Sequence, residues 1–224
     1  STLMRSSAAS DVYKRQEFYA SGTTFKMSRP MFNYLGTGAA ITNFTFNLEN
    51  ATSGIADNFV ITDTREVTYT NVTVAGTVVN ANGAAGALYG TVSNETNTMY
   101  EIIAGNVGVN VTGIKSISGQ IAGGYIGDVQ GAVSIRVTEG SNVAAIVTST
   151  ATAAGGMIGR IGAGGELFIT DADISIGNTV SGTGNVGGIV GVCENGTITS
   201  NKKVTKTGAK IVGLSLIHIS EPTR

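Results

Sequence analysis

The pentapeptide Gly123-Gly-Tyr-Ile-Gly127 returns as Gly155-Gly-Met-Ile-Gly159 and again as Gly187-Gly-Ile-Val-Gly191, each copy 32 residues after the one before. Three copies of GG-Φ-Φ-G (Φ apolar) at one spacing set a period, and fixed periods of about 20–50 residues belong to solenoids, propellers and arrays. Weaker copies lie upstream. Ala87-Leu-Tyr-Gly90 precedes Gly127 by a slightly longer step. Tyr34-Leu-Gly36 precedes Gly90 by nearly two steps, which implies an extra turn of chain between them. The glycines expected to shape the repeat are Gly36, Gly90, Gly123, Gly124, Gly127, Gly155, Gly156, Gly159, Gly187, Gly188 and Gly191. As corner residues they would supply positive φ and close backbone approach.

Between these corners the pattern is strand. Val133, Ile135 and Val137 alternate with Ser134 and Arg136, and one period later Ile135 and Val137 map onto Leu167 and Ile169. Ile174 and Ile176 flank Ser175; Val67, Tyr69, Val72 and Val74 repeat the alternation, as do Ile41, Phe44, Phe46 and Leu48. Period-two alternation bounded by Gly and Asn reads as short, half-buried strands. No stretch carries the i, i+3, i+4, i+7 stripe of a helix. A period of this length holds roughly three strands of about five to six residues plus corners, and rungs stacked about 4.8 Å apart would number about six. The expected fold is an all-β solenoid in which no rung buries its apolar face alone.

Composition narrows the function. The chain has 224 residues, with 32 Gly, 13% charged, 6% aromatic and a net charge of −1. No basic excess exists to neutralise phosphates, which excludes a typical nucleic-acid binder. Ordinary apolar content with little net charge disfavours disorder. No apolar run approaches the roughly 18 residues of a spanning helix. A single Cys allows neither an internal disulfide nor a structural zinc site.

The two ends differ from the middle. Ser1–Gln16 (STLMRSSAASDVYKRQ) and Leu214–Arg224 (LSLIHISEPTR) contain no Gly. Asp11–Gln16 (DVYKRQ) can be encoded by a string whose reverse complement translates to LSLIHI, the sequence of Leu214–Ile219. Both ends resemble translated transposase adapters of a sequencing library. The expected organisation is therefore adapter-derived sequence at 1–16, a β-solenoid repeat fragment at 17–213, truncated at both ends, and adapter-derived sequence at 214–224. Processing and cloning scars are left out of fold reasoning. The only His, His218, falls in the second scar.

Two segments carry a family likeness. Gly187–Lys202 (GGIVGVCENGTITSNK) resembles the GLUG motif, in which GG-[IL]-[VI]-G is followed by a short turn and then G-T-I; Asn195-Gly-Thr-Ile198 sits where that turn and strand belong. Pro30–Asn47 (PMFNYLGTGAAITNFTFN) resembles the start of such an array. The middle copy departs at Gly159–Glu166, where the turn is longer and its Asn is missing. The resemblance implies a right-handed parallel β-helix belonging to a secreted or cell-surface bacterial protein of adhesin type, without enzymatic activity or cofactor. Its partners would be a host or cell-surface glycan or protein, and flanking repeats of its own longer chain. The alternatives are a piece of a β-helix polysaccharide-degrading enzyme and a spacer with no ligand.

Candidate chemistry is sparse. Asp171 and Asp173 place two carboxylates on one side of an extended segment, and paired carboxylates serve glycoside cleavage; a solvated turn is the preferred reading of them. Asp128 does not clearly stack on that pair, and Arg136 and Arg160 are single and scattered. Gly182-Thr-Gly-Asn-Val-Gly187 matches the dinucleotide fingerprint, which needs a helix after it; here another β repeat follows. Cys193 has no His to activate it. Thr-x-Thr pairs at Thr62/Thr64, Thr68/Thr70, Thr148/Thr150 and Thr150/Thr152 do not recur at the period, since Thr148 maps to Val180. Asn43, Asn50, Asn71, Asn94, Asn110 and Asn195 begin N-x-[ST] sequons. Tyr69, Tyr89, Tyr100 and Tyr125 are candidates for stacking on sugar rings, although Tyr89 and Tyr125 occupy Φ positions that point inward.

Overall fold

The computed structural model of the chain describes residues 17–19, 24–32, 35, 38–56, 59–61, 66–96, 98–110, 117–201, 204–206 and 210–215. Gly36, Thr62, Thr64, Ser1–Gln16 and residues 216–224 lie outside the described residues. Among the described residues every regular element is a β-strand, and all of the pairings are parallel. Parallel neighbours need a long return of the chain, normally a helix. Here the return is made by the other faces of a β-solenoid of about five turns.

Each turn visits four faces. The first is a seven-stranded sheet: Glu17–Tyr19, Ala40–Thr42, Val67–Thr70, Tyr100–Gly105, Val133–Val137, Glu166–Ile169 and Thr197–Ser200. The second carries Thr24–Met27, Thr45–Ala51, Gly108–Asn110, Ser141–Val143, Ile174–Ile176 and Val204–Lys206. The third carries Ile117–Gly123, Val147–Gly155, Val180–Gly187 and Ile211–Ser215. Thr73–Ala85 runs through both of these faces and joins them into one eleven-stranded sheet. The fourth face stacks Phe59–Ile61, Tyr89–Asn94, Ile126–Gly131, Ile158–Ile161 and Val190–Cys193. Leu214 and Ser215 belong to the strand Ile211–Ser215, in which Ser215 pairs with Asn185.

Side chains repeat from rung to rung along the axis. On the first face Val67, Ile102, Ile135, Leu167 and Ile198 form one inward column, and Tyr69, Ala104, Val137 and Ile169 the next. Val78, Ile117, Val147, Val180 and Ile211 do the same on the third. These columns merge into one continuous core. Complete burial of each Ile or Val contributes about 2 kcal/mol, which a rung obtains only from the rungs above and below it.

The glycine repeat is the corner between the third and fourth faces. Gly123, Gly155 and Gly187 stand in direct register. None of the described repeat glycines has positive φ; among glycines that conformation belongs to Gly38, Gly76, Gly131 and Gly164. The expectation of positive φ at the repeat corner is thus corrected, and close approach is the whole reason. A Cβ on Gly155 would sit 1.9 Å from the Ile158 carbonyl oxygen, and one on Gly156 2.1 Å from the Gly188 carbonyl oxygen. Gly127, Gly159 and Gly191 are closed as well, a Cβ there meeting the carbonyl oxygens of Gly90, Gly127 and Gly159 at 2.7, 2.5 and 2.6 Å. The long gap between Gly36 and Gly90 does contain an extra turn. Its corner is Gly54-Ile-Ala56, whose Ile55 and Ala56 amides donate to the Ala87 and Leu88 carbonyls. The corner before it is Met31-Phe32, whose amides donate to the Ile55 carbonyl, earlier in the chain than the Tyr34–Gly36 match places it.

From Gly123 to Gly187 the corner keeps a step of 32 residues, but the other faces do not. On the third face Ile117 pairs with Val147 and Val147 with Val180, the first step shorter than the corner's and the second longer. Register shifts after Gly119, Ser149 and Gly182 absorb the difference as bulges. Thr148 consequently stacks on Ser181, with 3.2 Å between their hydroxyls, and not on Val180.

Replacing Gly155 by Ala is expected to lower stability by about 3 kcal/mol or more, because the new methyl meets backbone that cannot rotate away. Urea unfolding followed by far-ultraviolet circular dichroism would measure it.

Candidate functional site

Function in a filled solenoid is confined to its outer surface, so the outward columns are the candidate site. Two of them are charged. On the fourth face Asp128 is flanked in register by Thr91 and Arg160. The Arg160 guanidinium donates from Nε to Asp128 Oδ1 at 2.8 Å and from Nη2 to Oδ2 at 2.6 Å. Gln130 Nε2 adds a third bond to Oδ2 at 2.7 Å. The carboxylate, only 4% exposed, is fully satisfied by this fork, and it holds the guanidinium pKa above its usual value. On the first face Arg136 Nε donates to Glu101 Oε1 one rung back at 3.0 Å. Its guanidinium lies 4.8 Å over the Phe168 ring one rung ahead, a cation–π contact. The two arginines that look scattered in sequence are therefore inter-rung staples, and Asp128 is the partner of one of them.

A column of amides marks the corner between the first and second faces. Asn43, Asn71 and Asn106 have φ of 61°, 53° and 52°. Asn71 Nδ2 donates to Asn43 Oδ1 at 3.1 Å, and Asn106 Nδ2 to Asn71 Oδ1 at 2.7 Å. Asp171, with φ 55°, continues the corner and its amide donates to Asn201 Oδ1 at 2.9 Å. Asn tolerates the left-handed region because its short side chain bonds locally. Asn50 and Asn195 are also left-handed, at 55° each. At the middle copy, where the motif lacks its Asn, Gly164 takes this role with φ 81° and donates to the Asn195 carbonyl. Four of the six sequons thus arise from corner geometry. A fifth, Asn94, is buried, with Nδ2 bonded to the Thr98 and Ala132 carbonyls.

Asp171 and Asp173 are both exposed and flank the buried Ala172. Asp171 is engaged by Asn201, while the Asp173 carbonyl accepts from the Ser141 amide. Gly182–Gly187 lies within a strand, with no helix after it among the described residues, so the dinucleotide geometry is missing. Cys193 is exposed at a strand end. No group of three or more His, Cys, Asp or Glu that would hold a metal occurs among the described residues. No helix among them is long and apolar enough to cross a membrane.

The four tyrosines are not surface platforms. Tyr69, Tyr89 and Tyr125 are wholly buried and Tyr100 nearly so, which bears out the inward reading of Tyr89 and Tyr125 and corrects Tyr69 and Tyr100 as sugar-stacking candidates. Tyr69 and Tyr89 meet hydroxyl to hydroxyl with their rings edge to face, and Tyr125 donates to the Val107 carbonyl at 2.7 Å. Burial pushes all three phenols above the ordinary 10.0. An open groove of about 610 Å³, half polar and half apolar, runs past Asn47, Glu49, Asn50 and Thr77, where Thr77 Oγ1 and Asn50 exchange hydrogen bonds.

Compared with family models, curated proteins and solved structures, the chain matches none.

Asp128→Ala strands a guanidinium that is one-quarter exposed and is expected to cost about 2 kcal/mol. Glu101→Ala, at a more exposed pair, should cost under about 1 kcal/mol; parallel urea titrations compare them. The buried phenols predict alkaline unfolding. Their folded pKa values are raised, so their contribution is complete below pH 10.0 and is lost as pH rises above it, when the unfolded chain ionises first. Ultraviolet titration should show them ionising only together with the loss of circular dichroism.

Proposed function

We propose that this chain is a non-catalytic repeat segment of a secreted or cell-surface bacterial protein of the GLUG-repeat kind, presenting long polar faces to a glycan or protein surface. The observation that carries this reading is the division of labour among outward side chains. The described inter-rung charge pairs, Asp128–Arg160 and Glu101–Arg136, tie rungs to each other. Much of what faces solvent between them is hydroxyl and amide, with Asn142, Thr150, Thr152, Thr197 and Thr199 exposed, beside acids such as Glu139, Asp173 and Glu194. Such a surface binds by many weak hydrogen bonds repeated at the rung spacing. Its affinity grows with the number of rungs engaged, as in any multivalent contact. Fully buried tyrosines leave sugar recognition to polar contacts and not to ring stacking.

Binding of the full chain to a glycan array, read beside a reducing-sugar release assay on the same polysaccharides, tests the reading. Retention without new reducing ends is expected. Release of sugar ends would replace the proposal with the polysaccharide-degrading alternative, and no retention on any surface would favour the spacer.

A further inference from the structure

In the middle of the first face one outward column holds a buried oxygen with nothing to bond. Ser134 pairs in register with Glu101 of the rung before and with Glu166 of the rung after. Val133, Ile135 and Val137 belong to the core, so strand alternation sets Ser134 on the outer side, in one column with the two glutamates. It is nonetheless 0% exposed, and its Oγ has no hydrogen-bond partner. Buried hydroxyls are almost always bonded, and one left unmatched is unfavourable.

Neither flanking carboxylate takes that hydroxyl. Glu101 leans to Arg136 and accepts its Nε at Oε1, which leaves Oε2 free to take another partner. Glu166 is half-buried, and among the described residues no hydrogen bond or ion pair engages its carboxylate. A serine with a carboxylate one rung away on either side would ordinarily donate to one of them. Three sets of oxygen lone pairs instead stand in one column without a shared donor.

The charge on this face is unbalanced in the same place. Val67 pairs with Ile102, which sets Glu66 one rung behind Glu101. Glu66, Glu101 and Glu166 therefore share a column, and Arg136, two residues along from Ser134, is the one cation on the described strands of this face. Rungs about 4.8 Å apart leave each of Glu101 and Glu166 a single rung to cross to stand over Ser134, which is within reach of a glutamate side chain.

We propose that Glu101, Ser134 and Glu166 form a calcium site, with Glu101 Oε2, the Ser134 hydroxyl oxygen and the Glu166 carboxylate as ligands and water completing the shell. Calcium accepts about six to eight oxygens in loose geometry, whereas magnesium demands a near-ideal octahedron that side chains from three separate rungs do not preset. A water molecule would satisfy the hydroxyl but leave the excess negative charge in place; a divalent cation answers both. The ion would tie three successive rungs together beside the Arg136 staple. This inference does not rest on the adhesive reading of the outer faces.

Thermal unfolding of the full chain at fixed ionic strength, followed by circular dichroism, tests the site. Calcium is expected to raise the melting temperature, and a chelator to reverse the rise. Glu166→Gln and Ser134→Ala should each lose the calcium response, while Asp173→Asn, at an exposed acid on another corner, should keep it. Ser134→Ala carries a second readout. In chelator it should melt at or above the wild type, because the unmatched hydroxyl is gone; in calcium it should melt below. A wild type indifferent to calcium would overturn the proposal. So would an equal rise with magnesium, which is charge screening, or a calcium response that survives in either site variant. Ser134→Ala melting below the wild type in chelator would overturn it too, since the hydroxyl would then already be bonded within the protein.

Discussion

The stack depends on backbone meeting backbone at the Gly-Gly corner with no side chain between. Where Gly124 passes over Gly156 and Gly156 over Gly188, the space a methyl would need is already taken by a carbonyl of the next rung. That approach lets two amides reach one carbonyl ahead of them at Met31, Leu88, Tyr125 and Met157, while at the intervening corner Ile55 and Ala56 donate separately to Ala87 and Leu88. With the corner held at this distance, the strands on either side fall into parallel register. Their inward residues then land on equivalent residues one rung away. A methyl at the corner would displace the carbonyl and separate both adjoining faces together.

Elsewhere the chain has slack, and it is placed where it does no harm. Unequal steps on the third face are reconciled by bulges that push Thr150, Ala151 and Thr152 outward. The other corners turn by left-handed Asn, Asp or Gly, and stacked amides bond from rung to rung. A side-chain ladder of this kind neutralises polar groups that a turning backbone would otherwise leave unmatched. The same economy applies to charge. Asp128 is nearly buried on an outer face only because Arg160 covers it with a two-pronged fork, and one partner without the other would be unfavourable there.

These arrangements bear on function by subtraction. The tyrosines weighed as sugar platforms fill the core, and Arg160 and Arg136 are tied to Asp128 and Glu101. Asp171, the more constrained of the two paired acids, sits in a left-handed corner bonded to Asn201. Between these pairs the described surface carries exposed hydroxyls and amides, such as Asn142, Thr150 and Thr152, beside exposed acids such as Glu139, Asp173 and Glu194.

The fold class was legible because its cause is local and repeated. A glycine pair that must be bare, followed by two apolar residues that must face inward, writes the same pattern at each return, and period-two alternation marks the strands between. The columns Ile135–Leu167 and Val137–Ile169 follow from that period alone. The Arg160–Asp128 pair spans one period of 32 residues and follows from it as well. Register-dependent features did not: Arg136–Glu101 spans 35 residues and is visible only once the first face's own step is known. Thr148 over Ser181 was hidden for the same reason. The corner at Gly54–Ala56 shares only its glycine and its apolar character with the later copies. From its sequence alone this protein is a β-solenoid whose glycine corner returns at a fixed period. Which outward residues touch, which asparagines turn the chain and which tyrosines are buried were decided by the tertiary structure, because each depends on how many residues the bulges insert between one corner and the next.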